Sequence, residues 1–196
     1  MPSRRSISRT VEFVGSFPGP VPETGLREVA FAGRSNVGKS SMLNALLGTR
    51  KAARVSSTPG RTQAINLFRV GGAIAIADLP GYGFARVPDA VREAWKPMIE
   101  RYLGERDALQ LVFLLVDARR TPQDMDLALY EALVEADIPA RVVVTKVDKL
   151  KKHERKPAFA KLREAYGLPA GQPIPFSAKS NEGVKQLWAI LNDVVS

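Results

Sequence analysis

The 196-residue chain contains no cysteine, which excludes a disulfide framework, a thiolate metal site and a cysteine nucleophile. Histidine occurs once, as His153 in a run of lysines. No paired Ser or Cys constellation points to it, so it reads as a surface residue. No stretch approaches the roughly 18 uninterrupted apolar residues of a membrane-spanning helix. The opening residues MPSRRSISRT carry basic charge with no apolar core behind them, so a secretory signal is not expected. Pro2, in place of glycine, and the terminal pair Val195-Ser196 offer no myristoylation or prenylation site. A cytoplasmic protein with no membrane partner is the expectation. Aromatic residues are sparse at 7%, without a dense stacking surface for single-stranded nucleic acid. Trp95 and Trp188 fall on helical patterns and read as core residues.

Acidic residues are also short. Lys and Arg number 29 against 20 Asp and Glu, a net charge of +9. The excess is uneven: residues 1–60 hold nine basic and three acidic side chains, and Lys149 to Arg163 holds seven basic ones against Glu154 alone. Basic excess attracts polyanions by steering and by release of condensed counterions, although no recognisable RNA-binding module is present. Arg119 and Arg120 fit RNA contact and plain solvation equally well. The carboxylates in 124–137 read as a solvated helix face. A hydrophobic content of 45% with 25% charged residues is that of a soluble globular protein, and the length suits one domain.

Residues 1–26, with Pro18, Pro20 and Pro22, read as an extended leader with a short strand over Val11 to Val14. Residues 27–196 read as the folded domain. Glu28 to Ala32 is an apolar run ending at Gly33, hence a strand; Lys39 to Leu47, apolar at 42, 43, 46 and 47, is a helix stopped by Gly48. Ile65 to Val70 and Ala73 to Ala77 flank Gly71-Gly72, a hairpin signature. Leu111 to Val116 and Val142 to Val144 are apolar throughout, as strands buried on both faces must be. Leu127, Tyr130 and Val134 recur at helical spacing. After Pro173 to Phe176, Val184, Leu187, Trp188 and Leu191 predict a final amphipathic helix. This alternation predicts an α/β layered fold, mostly parallel, with one antiparallel hairpin.

Gly33-Arg34-Ser35-Asn36-Val37-Gly38-Lys39-Ser40 fits GxxxxGK[ST] between a predicted strand and a predicted helix. The glycines let backbone N–H groups turn inward as an anion nest, and the helix N-terminus adds positive potential. Lys39 can reach β- and γ-phosphates, and the Ser40 hydroxyl suits one site on Mg²⁺. Asp78-Leu79-Pro80-Gly81 follows the hairpin: a carboxylate for a metal-bound water, then a glycine N–H for the γ-phosphate. The polar connection over 50–64 is long for a plain connector and reads as a switch. Thr62 and Thr58 are rival candidates to close on Mg²⁺. Thr145-Lys146-Val147-Asp148 ends an apolar strand. There Asp148 can accept from guanine N1–H and the exocyclic amine together, donors that adenine lacks in that arrangement. The Lys146 stem can cover the base face. Phe176-Ser177-Ala178-Lys179 offers the Ala178 N–H to guanine O6.

These strings together resemble the EngB family of bacterial GTP-binding proteins, a translation-factor-related branch of GTPases. The resemblance rests on GRSNVGKSS at 33–41, TPGRTQ at 58–63, DLPGYGFA at 78–85, TKVD at 145–148 and SAK at 177–179. It implies a P-loop G domain of three layers, with a six-stranded mostly parallel sheet, one antiparallel hairpin strand and helices on both faces. It assigns Gly33 to Ser40 to the phosphates, Gly60, Arg61, Thr62, Gln63 and Ala64 to the switch, and Asp78 to Gly81 to the γ-phosphate. Thr145 to Asp148 and Phe176 to Ala178 fall to the base, Ser40 and Thr62 to Mg²⁺, and Lys39, Thr62 and Gly81 to catalysis. The implied ligands are GTP and GDP. The implied role is large ribosomal subunit assembly, with rRNA of the precursor as partner, linked to cell division and septation, by a monomer.

Two departures from Ras-like enzymes bear on chemistry. Thr145 replaces an asparagine, which implies modest base-side affinity, and Tyr82 stands where a water-orienting glutamine is placed, which implies slow intrinsic hydrolysis. Related GTPases with asparagine at the position of Asn36 bind K⁺ near the phosphates, so K⁺ stimulation is expected; the competing reading is an asparagine that satisfies the turn. The alternative function is a nucleotide-gated binding module for a division partner, with hydrolysis incidental. Asp148 argues against an ATP-using kinase.

Overall fold

Strands without polar interruption must be covered on both sides, and this chain has several. Leu109–Asp117 (β5) and Ala140–Thr145 (β6) are buried over almost their whole length, and so is Arg27–Gly33 (β2). The computed structural model describes residues 6–48, 64–83 and 89–196, with the backbone alone for 89–96. The remaining elements are β1 (Val11–Phe17), α1 (Lys39–Leu47), β3 (Ile65–Val70), β4 (Ile74–Asp78), α2 (Asp89–Glu105), α3 (Asp124–Glu135), α4 (Lys152–Ala165), β7 (Ile174–Pro175) and α5 (Val184–Val195), with a single 3₁₀ turn at Val147–Lys149.

Among the described residues the sheet has seven strands, in the order β1-β3-β4-β2-β5-β6-β7. β3 is antiparallel to both neighbours, while the other pairings are parallel, so one strand opposes the rest. The expected hairpin is in place. Gly71 and Gly72 both have positive φ (59° and 62°), the turn that matches strand twist. Gly71 also has no room for a side chain, because a Cβ there would lie 2.5 Å from the Ser8 carbonyl oxygen.

The sheet exceeds the expected six strands by one. The short strand expected at Val11 to Val14 runs on to Phe17 and pairs along β3, from Val11 opposite Val70 to Phe17 opposite Ile65. β3 would otherwise be an unpaired edge, and the leader supplies its missing backbone partners. Phe13 sets its ring against Phe68, with centroids 5.3 Å apart.

Helices cover both faces. On one, α1 and α5 bring Met42, Leu43, Leu46, Leu187 and Leu191 against Val29, Phe31 and Phe113. Trp188 joins this face as expected, its Nε1–H donating to the Leu46 carbonyl at 3.0 Å; the Trp95 side chain lies outside the described residues. On the other face α2, α3 and α4 contribute Ile99, Tyr102, Leu133, Leu162 and Tyr166 to a core with Ala30, Leu114 and Val144. α3 is turned one residue from the face expected of it. Leu133 is buried and Val134 is 56% exposed, because the packed stripe runs through 126, 130 and 133.

A buried ion pair joins β2 to the residue just after α2, and its arginine also holds the segment ahead of β2. Arg106 donates from Nε and Nη2 to the fully buried Glu28 carboxylate, at 2.9 and 2.7 Å, and from Nη1 to the Val21 carbonyl at 2.8 Å. The hydroxyls of Tyr102 and Thr24 each donate to Glu28 at 3.0 Å. Removing Glu28 leaves the buried Arg106 guanidinium with only the exposed Glu23 carboxylate, 3.6 Å away. Glu28→Ala is therefore expected to lower unfolding free energy by about 3–5 kcal/mol in urea titration.

Candidate functional site

Side by side at one sheet edge, the parallel strands end in polar residues: Gly33 on β2, Asp78 on β4, Asp117 on β5 and Thr145 on β6. Register aligns them, with Phe31 opposite Asp78, Gly33 opposite Leu115, and Asp117 opposite Thr145. Crevices at the carboxyl ends of open α/β sheets are where such folds take ligands.

Residues 33–40 form the loop from β2 into α1. Gly33 packs so tightly on β5 that a Cβ would stand 2.9 Å from the Leu115 carbonyl oxygen. Val37 is buried and its N–H bonds the Arg34 carbonyl at 3.1 Å. Asn36 is exposed and holds φ at 63°; Gly38 holds φ at 107° and caps α1. The positive φ of Asn36 suits the turn reading of that residue. The half-buried Lys39 and Ser40 open the helix. A left-handed turn running into a helix N-terminus, with a lysine there, is chemically a polyphosphate cradle.

Asp78 sits across from it, 5% exposed. Its Oδ1 accepts from the Lys39 ammonium, and Oδ2 from Asn66 Nδ2 at 3.3 Å. Asn66 was not singled out from sequence, although hairpin pairing places it opposite Asp78. The Ser40 hydroxyl and the Asp78 carboxylate are hard oxygen donors, and this chemistry fits a small divalent cation. Thr62 and its rival Thr58, like Gly60, Arg61 and Gln63, lie outside the described residues; Ala64 is half-buried just ahead of β3.

The segment after Asp78 is stitched to the cradle. Leu79 N–H donates to Phe31 O at 3.0 Å, Ser35 N–H to Tyr82 O at 2.8 Å, and Tyr82 N–H to Gly33 O at 3.4 Å. Leu79 and Pro80 are buried, and Gly81 is so close that a Cβ would lie 3.1 Å from Ser35 N and Cα. Tyr82 turns inward: its hydroxyl donates to Asp126 Oδ1 on α3 at 2.6 Å, with both residues buried. Burial pushes the phenol far above its ordinary range and the Asp126 carboxyl above its own. Asp126 thus departs from the expected solvated carboxylates. The signal was its helical spacing to Tyr130 and Leu133, which puts it on the packed stripe.

β6 delivers the next group. Thr145 is buried, with its hydroxyl 2.6 Å from the Val37 carbonyl oxygen and 3.1 Å from that of Val116. Its contacts therefore go to the phosphate loop and β5. Lys146, held at φ 60°, lays its stem beside Gly38 and donates to Asn36 O at 2.6 Å and Asp117 Oδ2 at 2.8 Å. Asp117 closes β5. Burial alone would raise its pKa, but hydrogen bonds from Arg119 and Lys146 hold it well below the usual carboxylate range. Arg119, open between RNA contact and solvation, spends its guanidinium on Asp117 at 2.7 Å.

Asp148 follows, its Oδ1 accepting from the buried Ser177 hydroxyl at 2.7 Å. That bond, first among the causes, holds the Asp148 carboxyl below its ordinary range. The Ser177 oxygen in turn accepts from the N–H groups of Lys179 and Ser180, each at 3.2 Å. Val147 and Phe176 are buried and seal the two loops together, through Val147 N–H to Phe176 O at 3.3 Å and Phe176 N–H to Val144 O at 2.8 Å. Ala178 is exposed beside them. A charged acceptor on a hydroxyl, next to an exposed loop, can read a paired N–H donor edge.

Thr145→Val should lower stability by about 1–3 kcal/mol, because it strips a hydroxyl from buried carbonyl partners, whereas Thr145→Ser should stay near wild type. Thermal or urea unfolding of the two variants checks this.

Comparison with known proteins places this geometry. Residues 28–146 match the family described as 50S ribosome-binding GTPase. The "Probable GTP-binding protein EngB" of Geobacter sulfurreducens is 47% identical over 189 residues, covering 95% of this chain and 92% of the relative. A protein of the same description from Geobacter metallireducens is 48% identical over 182 residues, covering 92% and 89%. A crystal structure titled as a probable GTP-binding protein engB superposes with a TM-score of 0.72 at 30% identity, over 86% of this chain and 98% of that one. The chain therefore belongs to the EngB family of GTP-binding proteins, a family of GTPases.

Proposed function

We propose that this GTPase acts as a Mg²⁺-dependent switch in assembly of the large ribosomal subunit, and that its part in normal cell division and septation follows from that role. The observation that carries the proposal is the continuity of the base-reading turn with a cationic helix. Lys149 directly follows Asp148, and Lys149, Lys151, Lys152, Lys156, Lys161 and Arg163 are all exposed on that turn and α4. Against them α4 carries Glu154, which accepts from the Lys151 N–H at 2.7 Å, and Glu164. A surface of one sign beside the nucleotide can couple nucleotide occupancy to grip on RNA phosphates. The family description, as 50S ribosome-binding GTPase, supports the same partner.

In this reading the N–H groups of residues 33–40 hold the phosphates, Lys39 neutralises the β- and γ-phosphates, and Gly81 presents its N–H to the γ-phosphate. The Ser40 and Thr62 hydroxyls hold Mg²⁺, which when bound neutralises charge developing on the phosphate oxygens. Gly60 to Ala64 serve as the switch. Asp148 and the Ala178 N–H select guanine. With the Tyr82 hydroxyl committed to Asp126, no side chain from that position orients the attacking water, which supports slow intrinsic hydrolysis. K⁺ bound near the phosphates through Asn36 would supply the missing charge.

Co-sedimentation with ribosomal particles in GTP, GDP and no nucleotide, across a salt series, tests the role. Binding should favour GTP. If six cations each neutralise a phosphate, affinity should fall by roughly two and a half to three decades over a fourfold rise in salt. Salt-insensitive capture of a division protein in place of the particle would support the binding-module reading instead. Turnover should be faster in K⁺ than in Na⁺ buffer; equal rates would remove the potassium site. Asp148→Asn should shift preference from guanine toward xanthine nucleotides in competition titrations, and unchanged selectivity would overturn the base assignment.

A further inference from the structure

We propose that Asp126 is a positioning residue for triphosphate recognition, acting through Tyr82 on the backbone of Gly81. The inference rests on the reading of Gly81 as the γ-phosphate contact. Tyr82 is the next residue along, and it is clamped from two sides. Its backbone bridges to Gly33 and Ser35 of the phosphate loop at 3.4 and 2.8 Å. Its side chain reaches α3, where the hydroxyl donates to Asp126 at 2.6 Å. Gly81 has no slack between these anchors and Ser35, since a single added carbon would press on the Ser35 backbone at 3.1 Å.

The chemistry makes the side-chain anchor directional. Asp126 is 3% exposed, and a carboxylate so buried is costly without a donor. Arg34 and Arg120 are the cations whose charge reaches it. Tyr82 supplies a hydroxyl that burial keeps protonated, hence a permanent donor. Any movement that draws Tyr82 off α3 strands the Asp126 charge, so the loop is biased toward the position in which Gly81 faces the cradle. Organisation set before the ligand arrives favours the ligand that uses it. Triphosphate uses Gly81; diphosphate does not. Asp126 therefore acts on the difference between the two nucleotides rather than on nucleotide binding as such.

The test uses the full chain, with fluorescent GDP and a non-hydrolysable GTP analogue in parallel titrations and single-turnover hydrolysis of GTP. Tyr82→Phe should weaken the analogue by about tenfold and slow turnover, with GDP affinity within about twofold of wild type. Asp126→Ala should do the same, Asp126→Asn should fall between, and the double variant should be no worse than either single one. Gly81→Ala separates the two readings. If it leaves analogue affinity intact, the γ-phosphate assignment of Gly81 fails. If it abolishes the preference while Tyr82→Phe and Asp126→Asn keep it, the positioning role of Asp126 fails. Variants that lower unfolding temperature yet keep the wild-type ratio of analogue to GDP affinity would likewise overturn it, leaving a packing contact only.

Discussion

The whole site depends on a short cross-link between two loops that are distant in sequence. Lys146 extends from the end of β6 across Gly38 to the Asn36 carbonyl, and is countered there by Asp117. One residue earlier, the buried Thr145 hydroxyl meets the Val37 carbonyl. Between them these bonds set the height of the base-reading turn relative to the phosphate cradle. A site that reads both the base and the phosphates of a nucleotide must hold its two halves at a set separation. Thr145 does its part with one hydroxyl, shared between the Val37 and Val116 carbonyls.

Four acidic side chains are buried in the described residues around the sheet, each answered by a different partner. Glu28 has Arg106, Asp78 has Lys39, Asp117 has Lys146 with Arg119, and Asp126 has the neutral Tyr82 hydroxyl. Burying a charge is tolerated only with such compensation. The Glu28 pair is structural, tying β2 to the residue just after α2. Lys39 and Asp78 instead face the site, where an arriving polyphosphate and cation would compete for both members. That pair can therefore report occupancy, whereas the Glu28 pair cannot.

Much of the molecule was legible from residues alone, and where it was legible the cause was local. α1 spans the expected Lys39 to Leu47, because a glycine turn starts it and Gly48 ends it. The Gly71-Gly72 hairpin needs no more than two positive φ angles between alternating strands. The motifs at 33–40, 78–81, 145–148 and 176–178 converge on one sheet edge because each lies just beyond a strand, and parallel strands share their carboxyl ends.

What stayed hidden was set by partners distant along the chain. The Val11 strand was visible, but not that β3 would take it as a seventh member of the sheet. Asp126 looked like its solvated neighbours until the α3 stripe settled through 126, 130 and 133 and met Tyr82, 44 positions away in sequence. Sequence determined which groups can bind a nucleotide, since glycine, lysine and aspartate at those spacings carry their chemistry with them. Tertiary structure decided which charges are already spent. A side chain's partner depends on the packing of whole elements, and no local spacing encodes that.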